Sequence, residues 1–160
     1  MILFFLFTLA AGFHENDNEP ERPRSKQIQV TAFRQNGRMI AILSKKRPGH
    51  LAFGFGRDMN SGDIVAIEFS GGPSPQVRDC VLIGQRYPRC SAAVLWKLEA
   101  FRPSAGGGWT VRVSRDLNVR NGYAISPQRN RMIYAFSDLP RLDGHKGRNH
   151  EMGNFDLTLR

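Results

Sequence analysis

The sequence predicts an all-β fold, an immunoglobulin-like antiparallel β-sandwich, from three observations. Apolar residues alternate with polar ones in short runs, turn chemistry punctuates those runs at regular spacing, and helical periodicity is absent over any stretch of length. The chain has 160 residues, 41% of them hydrophobic, which is enough to bury one core. A single domain is expected.

The N-terminus stands apart from that domain. Ile2 to Ala11 is an uncharged apolar run, and Ala10 and Gly12 are small enough for a signal-peptidase site, so 1–12 reads as a secretory signal and not as a buried N-terminal strand. The run falls short of the roughly 20 apolar residues that span a bilayer, and no later segment approaches that length. Residues 13–26 are polar, mixed in charge and interrupted by proline, as in a flexible arm. The β-sandwich domain is expected over 27–160.

Within the domain, KQIQVTAFRQNGRMIAILSKK reads as two strands joined at Asn36-Gly37, a dipeptide that tolerates φ > 0 at both central positions. Further strands are expected at His50 to Phe55, Asp63 to Phe69, Val77 to Ile83, Ala93 to Phe101, Trp109 to Ser114, Met132 to Phe136 and Asn154 to Leu159. Gly71-Gly72-Pro73, Ser104 to Gly108, Asn121-Gly122 and Pro127 to Asn130 supply loops between them.

Cys80 and Cys90 form an even pair, and in a secreted chain this is most simply a disulfide. Gly84 and Pro88 between them let the chain double back. By the chain-entropy model, closing such a loop contributes roughly 2.5–3 kcal/mol. Metal binding by this pair is disfavoured by its wide spacing and the lack of a nearby histidine.

Twenty-three Lys and Arg against 14 Asp and Glu leave a formal charge of +9, and none of it lies in the leader. The charge points to anionic glycans, a membrane surface or acidic partners, or serves solubility alone. Nucleic acid is not expected, because an extracellular chain seldom meets it and no regular aromatic interleaving supports single-strand binding. Hydrolytic or transfer catalysis has no support: there is no G-x-S-x-G elbow, H-E-x-x-H pair or P-loop.

LAFGFGRDMNSGDIVAIEF places one methionine, Met59, in a polar loop between two strand-like runs, where it either plugs the end of a β-core or offers its sulfur to a soft metal such as haem iron. This block, together with VRDCVLIGQ, WTVRVSRDL and MIYAFSDLPRLDGHKGRNHEMGNFDLTL in that order, resembles the DOMON family. That family is named after the N-terminal region of dopamine β-monooxygenase and includes the cytochrome domain of cellobiose dehydrogenase. The resemblance covers Gln27 to the C-terminus.

In one branch of the family a b-type haem is held by Met and His for one-electron transfer to a redox partner. In the other the domain is haem-free and binds extracellular ligands such as sugars, or serves adhesion. On the first reading the resemblance implies Met59 and His145 as axial ligands, with His150 the alternative, both loops reaching one end of the sandwich. Arg115, in the Arg-x-Leu motif, would neutralise a propionate or else close a strand-end salt bridge, for example with Asp116 or Asp138; Arg57 and Arg148 are further propionate candidates. Met39, Met132 and Met152 are expected to pack in the core, Trp96 and Trp109 at its centre or edge, and His50 in a turn or cap.

Overall fold

The computed structural model describes residues 23, 25–58, 61–84, 88–93, 95–118, 123–126, 128–142 and 150–159. The expected leader and most of the arm lie outside them, as do Met59, His145 and Arg148. Ten strands are found among the described residues: β1 (Ile28–Gln35), β2 (Arg38–Lys45), β3 (Gly49–Asp58), β4 (Ser61–Phe69), β5 (Gln76–Ile83), β6 (Arg89–Ala92), β7 (Trp96–Pro103), β8 (Trp109–Asp116), β9 (Asn130–Ser137) and β10 (Glu151–Leu157). They form two antiparallel sheets, β1-β2-β8-β7 and β10-β9-β3-β4-β5-β6, as the all-β sandwich requires.

Alternation explains the layering. In β3, Leu51, Phe53 and Phe55 enter the core between the sheets, where they meet Val65 and Ile67 of β4, Met132 and Tyr134 of β9, and Met39, Leu43, Val111 and Val113 of the facing sheet. Trp96 and Trp109 are both fully buried there, at the centre of the core, so neither ring is exposed to stack on a ligand. The β1–β2 turn has Asn36 at φ 50° and Gly37 at φ 73°, the pair of left-handed residues that a type I′ hairpin demands.

Cys80 on β5 lies directly opposite Cys90 on β6, and the two form the expected disulfide. Gly84, at φ 64°, turns the chain between them. No helix among the described residues is long and apolar enough to cross a membrane.

The six-stranded sheet has two ends that matter for function. β3 and β10 run from the first end to the second, and β4 and β9 run back. The β3–β4 connection therefore sits at the second end. The β9–β10 connection sits at the first, and the β4–β5 loop is there too.

Candidate functional site

The even positions of β3 and β4 face away from the core. They build an outer face on the six-stranded sheet with two central rows, and the first is Met152, Ala135, Ala52, Ala66 and Arg78 across five strands. The second is Asn154, Ile133, Gly54, Ile64 and Cys80. Gly56 and Gly62 follow on β3 and β4, and the δ-methyl of Ile133 lies where either would carry a Cβ, 2.9 Å away. Gly54 is required for a different reason. A Cβ there would sit 2.2 Å from the Asp63 carbonyl oxygen. The result is a second apolar cluster of Ala52, Ile64, Ala66, Cys80, Leu82 and Ile133, against which Leu142 and Cys90 pack.

Alanine and glycine form the centre of this floor, the side chains of Ile64 and Ile133 fill the space over the glycines beside them, and Ala52, Ile64, Ala66, Cys80 and Ile133 are all buried. At about 4.8 Å between strands and 3.3 Å per residue, its central part measures roughly 14 by 13 Å. Its breadth and its apolar lining suit an apolar group of that size. The chemistry of the donors expected nearby, a thioether and an imidazole, suits haem iron.

The two connections that carry those donors are rooted at opposite ends of this sheet, not at one end as the resemblance implies. Asp58 and Ser61 flank Met59 at the second end, while Leu142 and His150 flank His145 at the first. The separation from His50 to Asp58 along β3 is about 26 Å by strand rise. The cause is topological: β3 and β9 are antiparallel neighbours, so a loop after one and a loop after the other cannot share an end. His150 is described, exposed and adjacent to Glu151 at the start of β10. Met152 is not core packing as expected. The core-facing positions of β10 are Phe155 and Leu157, so Met152 falls on the outer face opposite Ala135 and is exposed.

Arg115 belongs to the other sheet and points into the space between the two. Its side chain is fully buried, and its partner is Asp63 of β4 at 3.1 Å, not Asp116 or Asp138. Asp116 is taken by Arg38 and Asp138 by Lys45. The guanidinium Nη2 also donates to the Tyr123 carbonyl at 2.8 Å, and Asp63 accepts from the Tyr123 N–H at 3.0 Å. The buried ion pair thus holds both polar groups of one peptide residue across the second end. Tyr123 in turn stacks its ring on Phe55 at 5.2 Å. Arg115 lies over the rings of Phe55 and Trp96, and its Nε and Nη1 have no hydrogen-bond partner among the described residues. Arg57 ends exposed on β3.

The first end holds polar residues that sequence reasoning passed over. His50 is buried in β3, where its backbone N–H and its Nδ1 donate to the same Leu139 carbonyl at 2.9 and 3.0 Å. Burial pushes its pKa below the ordinary imidazole value, opposed by the bond to Leu139 and by Glu68. Glu68, its cross-strand neighbour on β4, accepts from the Leu142 N–H at 2.7 Å and from Arg78.

Lys45 closes β2 with its ammonium buried, donating to the Pro48 and Arg47 carbonyls at 2.6 and 3.1 Å and facing Asp138 at 3.6 Å. Burial lowers its pKa, and Asp138 opposes the shift. The one signal for these residues was their position at strand ends beside loops, which does not distinguish a buried charge from a solvated one. A cleft of about 340 Å³ opens at this end between Pro48, Phe69, Gly71, Gly107 and Pro140, with Asp138 its one charged lining group among the described residues. A carboxylate there does not suit an anionic glycan.

No family model matches the chain, and no curated protein matches it in sequence. Among solved structures, the fold is similar to the cytochrome domain of Myriococcum thermophilum cellobiose dehydrogenase, with a TM-score of 0.61 and 10% identity over 86% of this chain and 79% of that one. It is also similar to the cytochrome b domain of pyranose dehydrogenase from Coprinopsis cinerea, with a TM-score of 0.59 and 10% identity over 81% of this chain and 75% of that one. The likeness is one of fold, and it is the fold that the DOMON resemblance predicts.

Proposed function

We propose that this chain is a secreted DOMON-type electron-transfer module that carries a b-type haem on the outer face of its six-stranded sheet, with Met59 and His145 as axial ligands and His150 as the alternative to His145. The observation that supports this reading best is the small-residue floor of Ala52, Gly54, Ala66 and Ala135, bordered at one end by the connection carrying Met59 and at the other by the connection carrying the histidines. The two similar structures are cytochrome domains by title, which favours the same use of the fold.

Haem held by a thioether and an imidazole exchanges single electrons and leaves no coordination position for a substrate. The protein's own residues then do three things. Alanine and glycine keep the centre of the floor low, Ile64 and Ile133 within it supply apolar contact, and the Cys80–Cys90 disulfide ties edge strand β6 to β5 along its margin. Leu142 already packs on this face, and three residues of extended chain reach about 10 Å, so a ligand at position 145 is within range of the floor. Arg115, committed to Asp63 and Tyr123, contributes by holding the second end closed beside the β3–β4 hairpin. The partner is a redox protein, met outside the cell.

Hemin titration of the purified chain tests the reading. Uptake of one equivalent, with a sharp Soret band that shifts on dithionite reduction, supports it. A chain that stays colourless is a haem-free ligand-binding or adhesion module instead.

A further inference from the structure

The chain leaving β9 is held at Asp138, Leu139 and Leu142 by buried side chains of other strands. Asp138 faces the Lys45 ammonium of β2, the Leu139 carbonyl accepts from His50 of β3, and the Leu142 N–H donates to Glu68 of β4. Ser137 adds a bond from the Leu139 N–H to its hydroxyl at 3.1 Å. Loops on a protein surface ordinarily bond to water, and three buried titratable groups are costly to place under one loop. Here they converge on the residues that turn the chain from the end of the sheet onto its outer face, where Leu142 meets the apolar cluster.

We propose that His50 and Glu68 are positioning residues: they fix the course of residues 138–142 onto the outer face and so set where the following segment, with His145, begins. The proposal rests on the haem reading for its consequence, and on the described hydrogen bonds for its mechanism. A carbonyl oxygen only accepts, so Nδ1 of His50 carries the proton in this bond. The Leu142 bond is to an ionised acceptor and is the stronger kind.

The test pairs a haem-free readout with a haem readout. In Glu68→Gln, hydrogen exchange at the Leu142 amide of the haem-free chain should accelerate about tenfold or more, by the size of the charge-assisted bond it loses, and in His50→Ala exchange at the Leu139 amide, whose residue loses the imidazole bond to its carbonyl, should accelerate several-fold. Amides in the β3–β9 ladder should not change, which shows that the fold is intact. Hemin affinity should fall several-fold in both variants while the band positions of the bound form stay the same. His50→Asn, whose amide nitrogen falls near the position of Nδ1, should restore both readouts.

Unchanged exchange at residues 139 and 142 overturns the anchor. Accelerated exchange with unchanged hemin affinity overturns its role in positioning. A wild-type chain that takes up no hemin overturns the haem reading, and with it the purpose assigned to the anchor, even where exchange responds. If His50→Ala disrupts the ladder itself, Glu68→Gln carries the decision, because it removes a charge and leaves an acceptor of the same shape.

Discussion

Replacing Asp63 by asparagine should be among the most damaging conservative changes available in this protein. Asp63 is the only carboxylate bonded to the Arg115 guanidinium among the described residues, and that side chain is fully buried between the sheets. Removing one partner of a buried pair leaves an uncompensated charge and costs about 3–5 kcal/mol. In Asp63→Asn the remaining amide oxygen can still accept from the Tyr123 N–H, so the loss is electrostatic and not a matter of shape.

Arg115→Met should cost less, about 2–3 kcal/mol. The Asp63 side chain retains 13% exposure and a bond to Tyr123, so water partly replaces its partner, while Met keeps apolar contact with Phe55 and Trp96. The double variant should be more stable than the sum of the single losses by about 2 kcal/mol or more, the mark of direct coupling. Urea unfolding followed by tryptophan fluorescence measures all three. With m near 2 kcal/mol/M for a domain of this size, Asp63→Asn should lower the midpoint by roughly 1.5–2.5 M. A cost below about 1 kcal/mol, or losses that simply add, would refute the view that this pair locks the second end of the sandwich.

Reduction of the Cys80–Cys90 bond, or its replacement by two alanines, should cost about 2.5–3 kcal/mol, read as a drop in urea midpoint with the fold retained. Tyr134, whose pKa is pushed up to about 12 by burial and by its bond to Glu151, should be the late-titrating phenol in ultraviolet absorbance. Because the unfolded chain ionises this group near 10, stability should fall between pH 10 and 12, and Tyr134→Phe should remove that slope. His50 has the opposite pH dependence to a salt-bridged histidine: its folded pKa is depressed by burial, so the unfolded chain binds a proton that the folded chain refuses. Stability should therefore be full above about pH 6.5 and decline as pH falls below it, and His50→Asn should flatten that decline in thermal melts.

Period-two alternation made most of the fold legible. It located β1 to β5, β8 and β9 to within a few residues, because each turns a line of alternating apolar residues into the core, although β3 and β4 bury their second face as well. It missed β6 as a separate strand. Arg89–Ala92 is four residues long and largely exposed, and it is held by pairing with β5 and by the disulfide, not by a buried face of its own.

The site was less legible, for reasons of long-range geometry. Arg115 was matched to carboxylates nearby in sequence or at another strand end, yet its partner stands on a strand of the opposite sheet, and only the packing of the two sheets brings them together. Lys45 and His50 look like solvated strand-end residues until the chain leaving β9 folds over them. That the two connections are rooted at opposite ends follows from the order β10-β9-β3-β4 with neighbours antiparallel, and no local pattern encodes strand order.

The most direct test of the haem assignment is a hemin titration comparing wild type with Met59→Ala, His145→Ala and a floor variant, Ala52→Leu, which enlarges a buried side chain at the centre of the outer face. Wild type should hold six-coordinate, low-spin haem, Met59→Ala a five-coordinate form at lower potential, and His145→Ala little haem at all. Ala52→Leu should bind more weakly, with an unchanged β-sheet circular dichroism spectrum. Wild-type binding that Ala52→Leu leaves untouched would contradict the placement of haem on the outer face, and a wild-type chain that stays colourless with added hemin would contradict the cytochrome assignment itself.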